Sequence, residues 1–376
     1  MNSGNQRKIK VLLAVCNNVL NGTERYAVDL ASHLPKDKFD VYVATPMKGP
    51  LSEILKENSI NEIIFDNGKL QTYSLKGLLN MRRILKRERF DILHANAGIL
   101  PCIMGRVAGT KFIMEVKHGI FYSKAQLDSL PFLRKLYEKS KKLFVDKFIA
   151  TSPNDKKLMI DYFNIPEEKI DVIYLGLDID KLKKKLTAPA EKNNNKEFLF
   201  GHIGRLTFQK AQIILLKAFR IISDKYPGAR LVIVGDGEDK SELVNYIKEN
   251  NLEDKIYFKG YISDIYNEMS TFDVHVLTSR FEGMGYVNLE AMALGVPVIT
   301  SDVGGATNFL KDRYNALITR VEDPQSTADA MEAIISDTDL RNTLIENGRK
   351  TVLDFSVERM AQETANFYLK NIGKAH

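Results

Sequence analysis

The chain has 376 residues, of which 44% are hydrophobic and 27% charged, and a formal net charge of +6. That length is long for one hydrophobic core and comfortable for two domains. Cys16 and Cys102 are the only cysteines, which excludes a disulfide framework and a cysteine-based zinc cluster and points to a reducing compartment, and Trp is absent.

The first apolar run, KIKVLLAV from Lys8 to Val15, ends at Asn17 and Asn18. It is too short for a secretory leader and reads as a buried strand. Further strand signals follow at Asp40–Ala44, Glu62–Phe65, Ile92–His94, Lys111–Glu115, Lys147–Ala150 and Lys169–Tyr174. Helical stretches lie between them, and this alternation predicts a doubly wound parallel sheet. Lys181–Glu197 is charged, proline-interrupted and asparagine-rich, and reads as a linker. A second alternating set has strands at Phe198–Ile203, Arg230–Val234, Ile256–Phe258, Val274–Leu277, Val296–Thr300 and Ala316–Ile318, and Ser356–Asn371 reads as a final helix. The expected organisation is therefore a first domain over residues 1–180, a linker over 181–197, a second domain over 198–355 and a terminal helix over 356–376. No apolar run approaches the roughly 20 residues that span a bilayer.

The charge is uneven. Residues 1–180 hold 28 Lys and Arg against 21 Asp and Glu, whereas residues 181–376 hold 26 against 27. The excess resides in Leu75–Phe90 and Lys124–Lys147, where Leu and Phe alternate with Lys and Arg in the manner of basic amphipathic helices. Two readings apply: ordinary packed helices with solvated basic faces, or docking on an anionic membrane surface. Nucleic acid is not expected, because no aromatic-basic stacking motif occurs.

Two segments carry chemistry. FEGMGYVNLEAMALGVPVIT, Phe281–Thr300, joins a loop opened by Gly283 and Gly285 to a helix beginning at Tyr286. Such a junction aims backbone N–H groups at an anion. Glu282 lies on the loop and Glu290 about one turn into the helix. Carboxylates repel a phosphate, so these two are placed to accept hydrogen bonds from hydroxyls on either side of it. A diphosphate between two polyols, that is, a nucleotide sugar, fits this pattern. About 80 residues earlier, FLFGHIGRLTFQK ends a strand at Gly201 and Gly204 and sets Arg205 and Lys210 just beyond it. Two cations at a strand's carboxyl end suit a diphosphate, Arg through its forked donors and Lys as a point charge.

GRLTFQK, VGDG at Val234–Gly237, FEGMGYVNLEAMALGVPVI and Gly304–Gly305 together resemble the retaining GT-B glycosyltransferases of glycosyltransferase family 4. NGTERYAVDLASHL at Asn21–Leu34 is similar to that family's glycine loop and first helix, EVKHG at Glu115–Gly119 to its histidine segment, and VIYLGLD at Val172–Asp178 to the strand and turn before its linker. The resemblance covers about 350 residues in order. It implies two Rossmann-like domains facing a cleft, with the last helix crossing back to the first. Arg205 and Lys210 would hold the donor diphosphate, with the amides of Gly283, Met284, Gly285 and Tyr286 opposite. Glu282 would bind the transferred sugar, Glu290 the ribose, and Ile262 the base through its backbone. Gly22 would touch the diphosphate and His118 the sugar's reacting face. The family's paired glycines are Asn21–Gly22 here, its asparagine before the linker glycine is Leu175, and its later acidic residue is replaced by Thr307–Asn308.

The expected activity is transfer of a sugar from a nucleotide sugar, UDP-linked as is commonest in the family, to a glycan or lipid-linked glycan of the cell surface. The enzyme would work on the cytoplasmic face, in peripheral contact with the membrane. No cofactor is expected. Asp178-Ile179-Asp180 and Asp337-Thr338-Asp339 match a metal-binding Asp-x-Asp pattern, but the cations and helix amides already supply positive charge, so no metal is expected either. A nicotinamide-dependent oxidoreductase would need Gly-x-Gly-x-x-Gly after the first strand, which Lys8–Gly22 lacks. A nucleotide-sugar epimerase of the same fold and a non-catalytic sugar-binding module remain as alternatives.

Overall fold

Short runs of Val, Ile, Leu and Phe without polar alternation form strands buried on both faces, and such strands belong in parallel sheets covered by helices. The computed structural model describes residues 7–66, 75–96, 98–120, 122, 124–186, 197–262 and 264–373. Among these, one parallel sheet contains β1 (Ile9–Ala14), β2 (Phe39–Thr45), β3 (Asn61–Ile64), β4 (Ile92–Ala95), β5 (Phe112–Lys117), β6 (Lys147–Ala150) and β7 (Ile170–Val172), in the order β3-β2-β1-β4-β5-β6-β7. A second contains β8 (Phe198–Ile203), β9 (Ala229–Val234), β10 (Ile256–Gly260), β11 (Val274–Leu277), β12 (Val298–Ser301) and β13 (Leu317–Thr319), in the order β10-β9-β8-β11-β12-β13. Every strand read from the sequence is present. The Val296–Thr300 signal starts later, at Val298, because Pro297 has no N–H for the ladder.

The chain divides into two compact units, the first made of residues up to 120, 124–176 and the end of the chain from 357, the second running from 177 to 356. The first unit's core includes Val11, Leu30, Phe39 and Phe112. Val357, Met360, Phe367 and Tyr368 of the last helix, Val357–Ile372, belong to the same core. The second unit's core is built on Phe200, Leu215, Phe219 and Val276. Asp178 caps a helix over Ile179–Lys184, its carboxylate accepting from the Lys181 amide at 2.8 Å, so the candidate linker begins in helical structure. The rest of that segment, 187–196, lies outside the described residues.

The two basic segments differ from each other. Leu75–Glu88 is a helix that buries Gly77, Met81 and Leu85 and exposes Arg82, Arg83, Lys86 and Arg87, with Leu75 and Leu79 also outward. Lys124–Lys147, expected to be one amphipathic helix, is instead broken into Lys124–Asp128, Phe132–Ser140 and a single turn at Lys141–Leu143, after which Lys147 opens β6. Pro131 precedes the middle helix, which is where a proline is tolerated. That helix is also inverted relative to the usual pattern. Its buried side chain is Glu138, whereas Phe132 and Leu133 are 76% and 75% exposed and Leu136 also faces out. The cause is a buried charge cluster: Lys141 Nζ lies 2.6 Å from Glu115 of β5 and 3.2 Å from Glu138, and Arg134 lies 3.1 Å from Glu138. Burial opposes the charge on Lys141, but Glu115 and Glu138 outweigh it and raise the ammonium's pKa. Removing one member would leave a buried charge unmatched, at a cost of about 3–5 kcal/mol.

Candidate active site

In an open parallel sheet, ligands bind beyond the carboxyl ends of the strands where the strand order reverses. In the second unit this point lies between β8 and β11. The loop after β8 carries Arg205 and Lys210, and the loop after β11 carries Glu282.

These loops, some 70 residues apart in sequence, are stapled together. The Arg280 amide donates to Gln209 O at 2.8 Å, Gln209 Nε2 donates to Phe281 O at 3.1 Å, and Arg280 Nη1 donates to Phe208 O at 2.6 Å. Arg280 also lies over the Phe208 ring and pairs with Glu322 at 2.7 Å. Lys210 and Glu282, which the sequence reading gave separate roles, form an ion pair through Lys210 Nζ and Glu282 Oε1. Ser279 Oγ donates to the same oxygen at 2.6 Å, and Ser301 Oγ holds the Ser279 carbonyl at 2.6 Å. Glu282 Oε2 has no hydrogen bond among the described residues. The pair answers the repulsion that a carboxylate beside a phosphate would cause: Lys210 offsets the charge of Glu282 while leaving one oxygen to accept from a hydroxyl.

Arg205 is exposed, and its guanidinium makes no ion pair among the described residues. Its backbone, by contrast, is fixed. The amides of Gly204 and Leu206 donate to Val234 O and Asp236 O, both at 3.0 Å. The VGDG segment supplies these acceptors, and a Cβ on Gly235, where φ is +137°, would run into Gly204 O. VGDG is thus the bed of the Arg205 loop.

The helix Tyr286–Ala293 starts at Gly285, whose φ of 64° and ψ of 51° suit glycine. The amides of Gly283, Met284 and Gly285 donate to no acceptor among the described residues. Gly305 lies so close to Gly283 that a Cβ there would overlap the Gly283 carbonyl, which explains the Gly304–Gly305 motif as packing beneath this turn. Glu290 is buried in the helix and accepts from Tyr266 Oη at 2.9 Å. Ile262 is half-buried on the loop after β10. The sequence reading did not single out Tyr266, Ser279, Gln209 or Arg280. Only the last two had a local signal, by flanking residues that it did single out.

Gly22 and His118 belong to the first unit. Gly22 opens the helix Gly22–His33 in open space, and Asn21 before it is extended, with φ of −107°, so asparagine costs nothing where the resembled family has glycine. His118 follows β5, with Nε2 3.3 Å from Asn96 Oδ1 and its ring edge-on to Tyr26 at 4.8 Å. Burial lowers its pKa to about 3, so the imidazole is neutral at physiological pH and serves as a hydrogen-bonding group rather than a cation. Both Asp-x-Asp look-alikes are helix caps, Asp178 as described and Asp337 accepting from the Leu340 amide at 2.8 Å.

Two family models match the chain in succession, Glycosyltransferase Family 4 over residues 20–181 and Glycosyl transferases group 1 over residues 183–351. The chain belongs to this glycosyltransferase family and is an enzyme of that class. It is 28% identical to the UDP-Gal:alpha-D-GlcNAc-diphosphoundecaprenol alpha-1,3-galactosyltransferase of Escherichia coli, with 96% of this chain and 97% of that one covered. It is 27% identical to the capsular polysaccharide biosynthesis glycosyltransferase CapM of Staphylococcus aureus, covering 89% and 91%. The expected GT-B fold is borne out by solved structures. Anabaena HepE in complex with UDP-glucose superposes with a TM-score of 0.81 at 24% identity, over 96% of this chain and all of that one.

Proposed function

We propose that this protein is a retaining glycosyltransferase that moves a sugar from a UDP-sugar to a lipid-linked glycan in the synthesis of a cell-surface polysaccharide or glycolipid. The observation that carries the donor assignment is the set of groups at the β8/β11 reversal: an Arg205 with no ion partner among the described residues, a Lys210–Glu282 pair with one carboxylate oxygen left over, and three unengaged amides at a helix start. The UDP-glucose bound by HepE and the undecaprenol-linked substrate of the galactosyltransferase named above support the choice of donor and acceptor.

In this reading Arg205, Lys210 and the amides of Gly283–Tyr286 hold the diphosphate, Glu290 and Tyr266 the ribose, and the backbone near Ile262 the base. Glu282 takes a hydroxyl of the transferred sugar. The bond from the sugar's anomeric carbon to the phosphate oxygen breaks as the acceptor hydroxyl attacks from the same face, and the departing oxygen takes the acceptor's proton. The charge that develops on the diphosphate is met by the cations and amides, so the reaction needs no metal there. Gly22 and His118 are assigned to the donor by family resemblance. The enzyme works at the cytoplasmic face, and the outward Phe132, Leu133, Leu136 and Leu143, set among Arg134, Lys135, Lys139 and Lys142, support contact with an anionic membrane. No helix of the described residues is long and apolar enough to cross one.

The test is incubation with a panel of nucleotide sugars, with and without undecaprenyl-diphosphate-linked acceptors, measuring nucleoside diphosphate release and the product's anomeric configuration. Acceptor-dependent release with retention is expected. Interconversion of the nucleotide sugar without acceptor would indicate an epimerase, and binding without turnover a sugar-binding module.

A further inference from the structure

Gln212 opens the helix Gln212–Lys225 and is buried. Its side-chain Nε2 lies 2.8 Å from the Arg205 carbonyl oxygen and 3.0 Å from His202 Nε2. His202 is the fifth residue of β8, and its Nδ1 lies 2.8 Å from Val276 O on β11. A carbonyl only accepts, so Nδ1 carries the imidazole proton and Nε2 presents its lone pair. The two N–H groups of the Gln212 amide are then both committed, one to the imidazole and one to Arg205.

We propose that Gln212 is a positioning residue of the donor site, fixing the Arg205 backbone to a neutral His202 so that the guanidinium is aimed before the diphosphate arrives. The proposal rests on the reading of Arg205 as a diphosphate ligand. Three further observations support it. The Gly204 amide is anchored to Val234 at the end of β9 and the Leu206 amide to Asp236 just beyond it, so the Gln212 bond to the Arg205 carbonyl fixes the second side of the peptide unit that joins Arg205 to Leu206. Ala211, between Lys210 and Gln212, is left-handed at φ 50° and ψ 44°, and Thr278 Oγ1 holds its carbonyl at 3.2 Å. A non-glycine residue in that region costs on the order of 1–3 kcal/mol and persists where its surroundings over-determine it, a condition met at functional sites. Finally, Gln212 Oε1 is buried with no partner among the described residues. A glutamine that leaves its acceptor unused is placed for its donors.

The groups around His202 keep it neutral. Burial and the charge of Lys210 lower its pKa to about 4 against the pull of the Val276 carbonyl, and the His275 ring stacked at 6.2 Å is itself neutral. Protonation of His202 would oppose an N–H to the Gln212 amide, turning the amide over and releasing Arg205.

UDP binding by calorimetry in four proteins tests this: the unmodified chain, Arg205→Ala, Gln212→Leu and the double variant. Gln212→Leu should weaken UDP about tenfold, the scale of one lost hydrogen bond to a positioned group. The double variant should bind no more weakly than Arg205→Ala, because Gln212 acts through Arg205. Unchanged UDP affinity in Arg205→Ala would overturn the donor-site reading and this inference with it. A loss in Arg205→Ala with none in Gln212→Leu, or additive losses, would overturn this inference alone. Gln212→Glu supplies an independent readout that general destabilisation would not imitate. At pH 8 the introduced carboxylate faces two acceptors with no proton to share, and as the pH falls toward 6 a protonated carboxyl donates its O–H to the Arg205 carbonyl and restores that bond. The UDP affinity of Gln212→Glu relative to the unmodified chain should recover as the pH falls; a constant ratio would overturn the inference even if the Leu variant fails to fold.

Discussion

Lys210→Met would leave Glu282 with Ser279 Oγ as the remaining donor at Oε1, in a side chain only 5% exposed. A carboxylate this buried that loses its counter-charge destabilises by about 3–5 kcal/mol. Glu282→Gln leaves Lys210, 14% exposed, better able to reach water, and should cost less, about 1–3 kcal/mol. The double variant removes both charges, so its loss should be smaller than that of Lys210→Met alone. With no Trp in the chain, far-UV circular dichroism during thermal melting is the suitable probe. Function separates the partners differently: Lys210→Met should weaken UDP binding by roughly 10- to 150-fold, as for a charge-assisted contact of about 1.5–3 kcal/mol. Glu282→Gln should keep UDP affinity nearly intact and lose turnover with the UDP-sugar. Stability losses that simply add would refute the coupling of the pair. A UDP loss in Glu282→Gln equal to that in Lys210→Met would show that Glu282 serves to aim Lys210 rather than to hold the sugar.

Glu290→Gln should weaken bare UDP as well as the UDP-sugar, since Glu290 is assigned to the ribose; calorimetry showing full UDP affinity would move that assignment elsewhere. His94, His118 and His275 have pKa values lowered by burial to about 3, and His202 to about 4. Because the unfolded chain takes up these protons first, stability is fully present above pH 6.5 and is lost as the pH falls; two histidines in each unit should cost it about 3 kcal/mol between pH 6.5 and 5. Urea denaturation with a midpoint that is flat over that range would contradict the burial of neutral imidazoles. Replacing Phe132, Leu133 and Leu136 with Ser should abolish co-sedimentation with anionic liposomes at low salt, as should reversing Arg82, Arg83, Lys86 and Arg87 to Glu, each cation being worth about 1 kcal/mol near such a surface. Failure of the unmodified chain to bind such liposomes would remove the membrane from the account.

The strands and the two glycine-rich loops were legible in the sequence because their signals are local. A strand buried on both faces announces itself as an unbroken apolar run, and a glycine beside a charge at a strand's end marks a turn. What the sequence hid are pairings across distance. Lys210 and Glu282 stand 72 positions apart and read as two independent ligands, although each conditions the other's charge. Gln212 carries no sequence signal of its own, because its partners are a carbonyl and a histidine nitrogen rather than side chains of recognisable type. The outward-facing apolar side of the helix Phe132–Ser140 is hidden from the packed-helix reading for a related reason. Periodicity reasoning assumes that the apolar stripe faces the core, but Glu115 on β5, more than 20 residues upstream, recruits Lys141 inward, and Lys141 brings Glu138 with it.

The measurement that bears most directly on the donor site is a crystal structure of the protein with a UDP-sugar bound. The account predicts the diphosphate between the Arg205 guanidinium and the amides of Gly283–Tyr286, with the ribose hydroxyls on Glu290 and a sugar hydroxyl on Glu282 Oε2. A diphosphate bound away from Arg205, or a sugar that leaves Glu282 untouched, would contradict it.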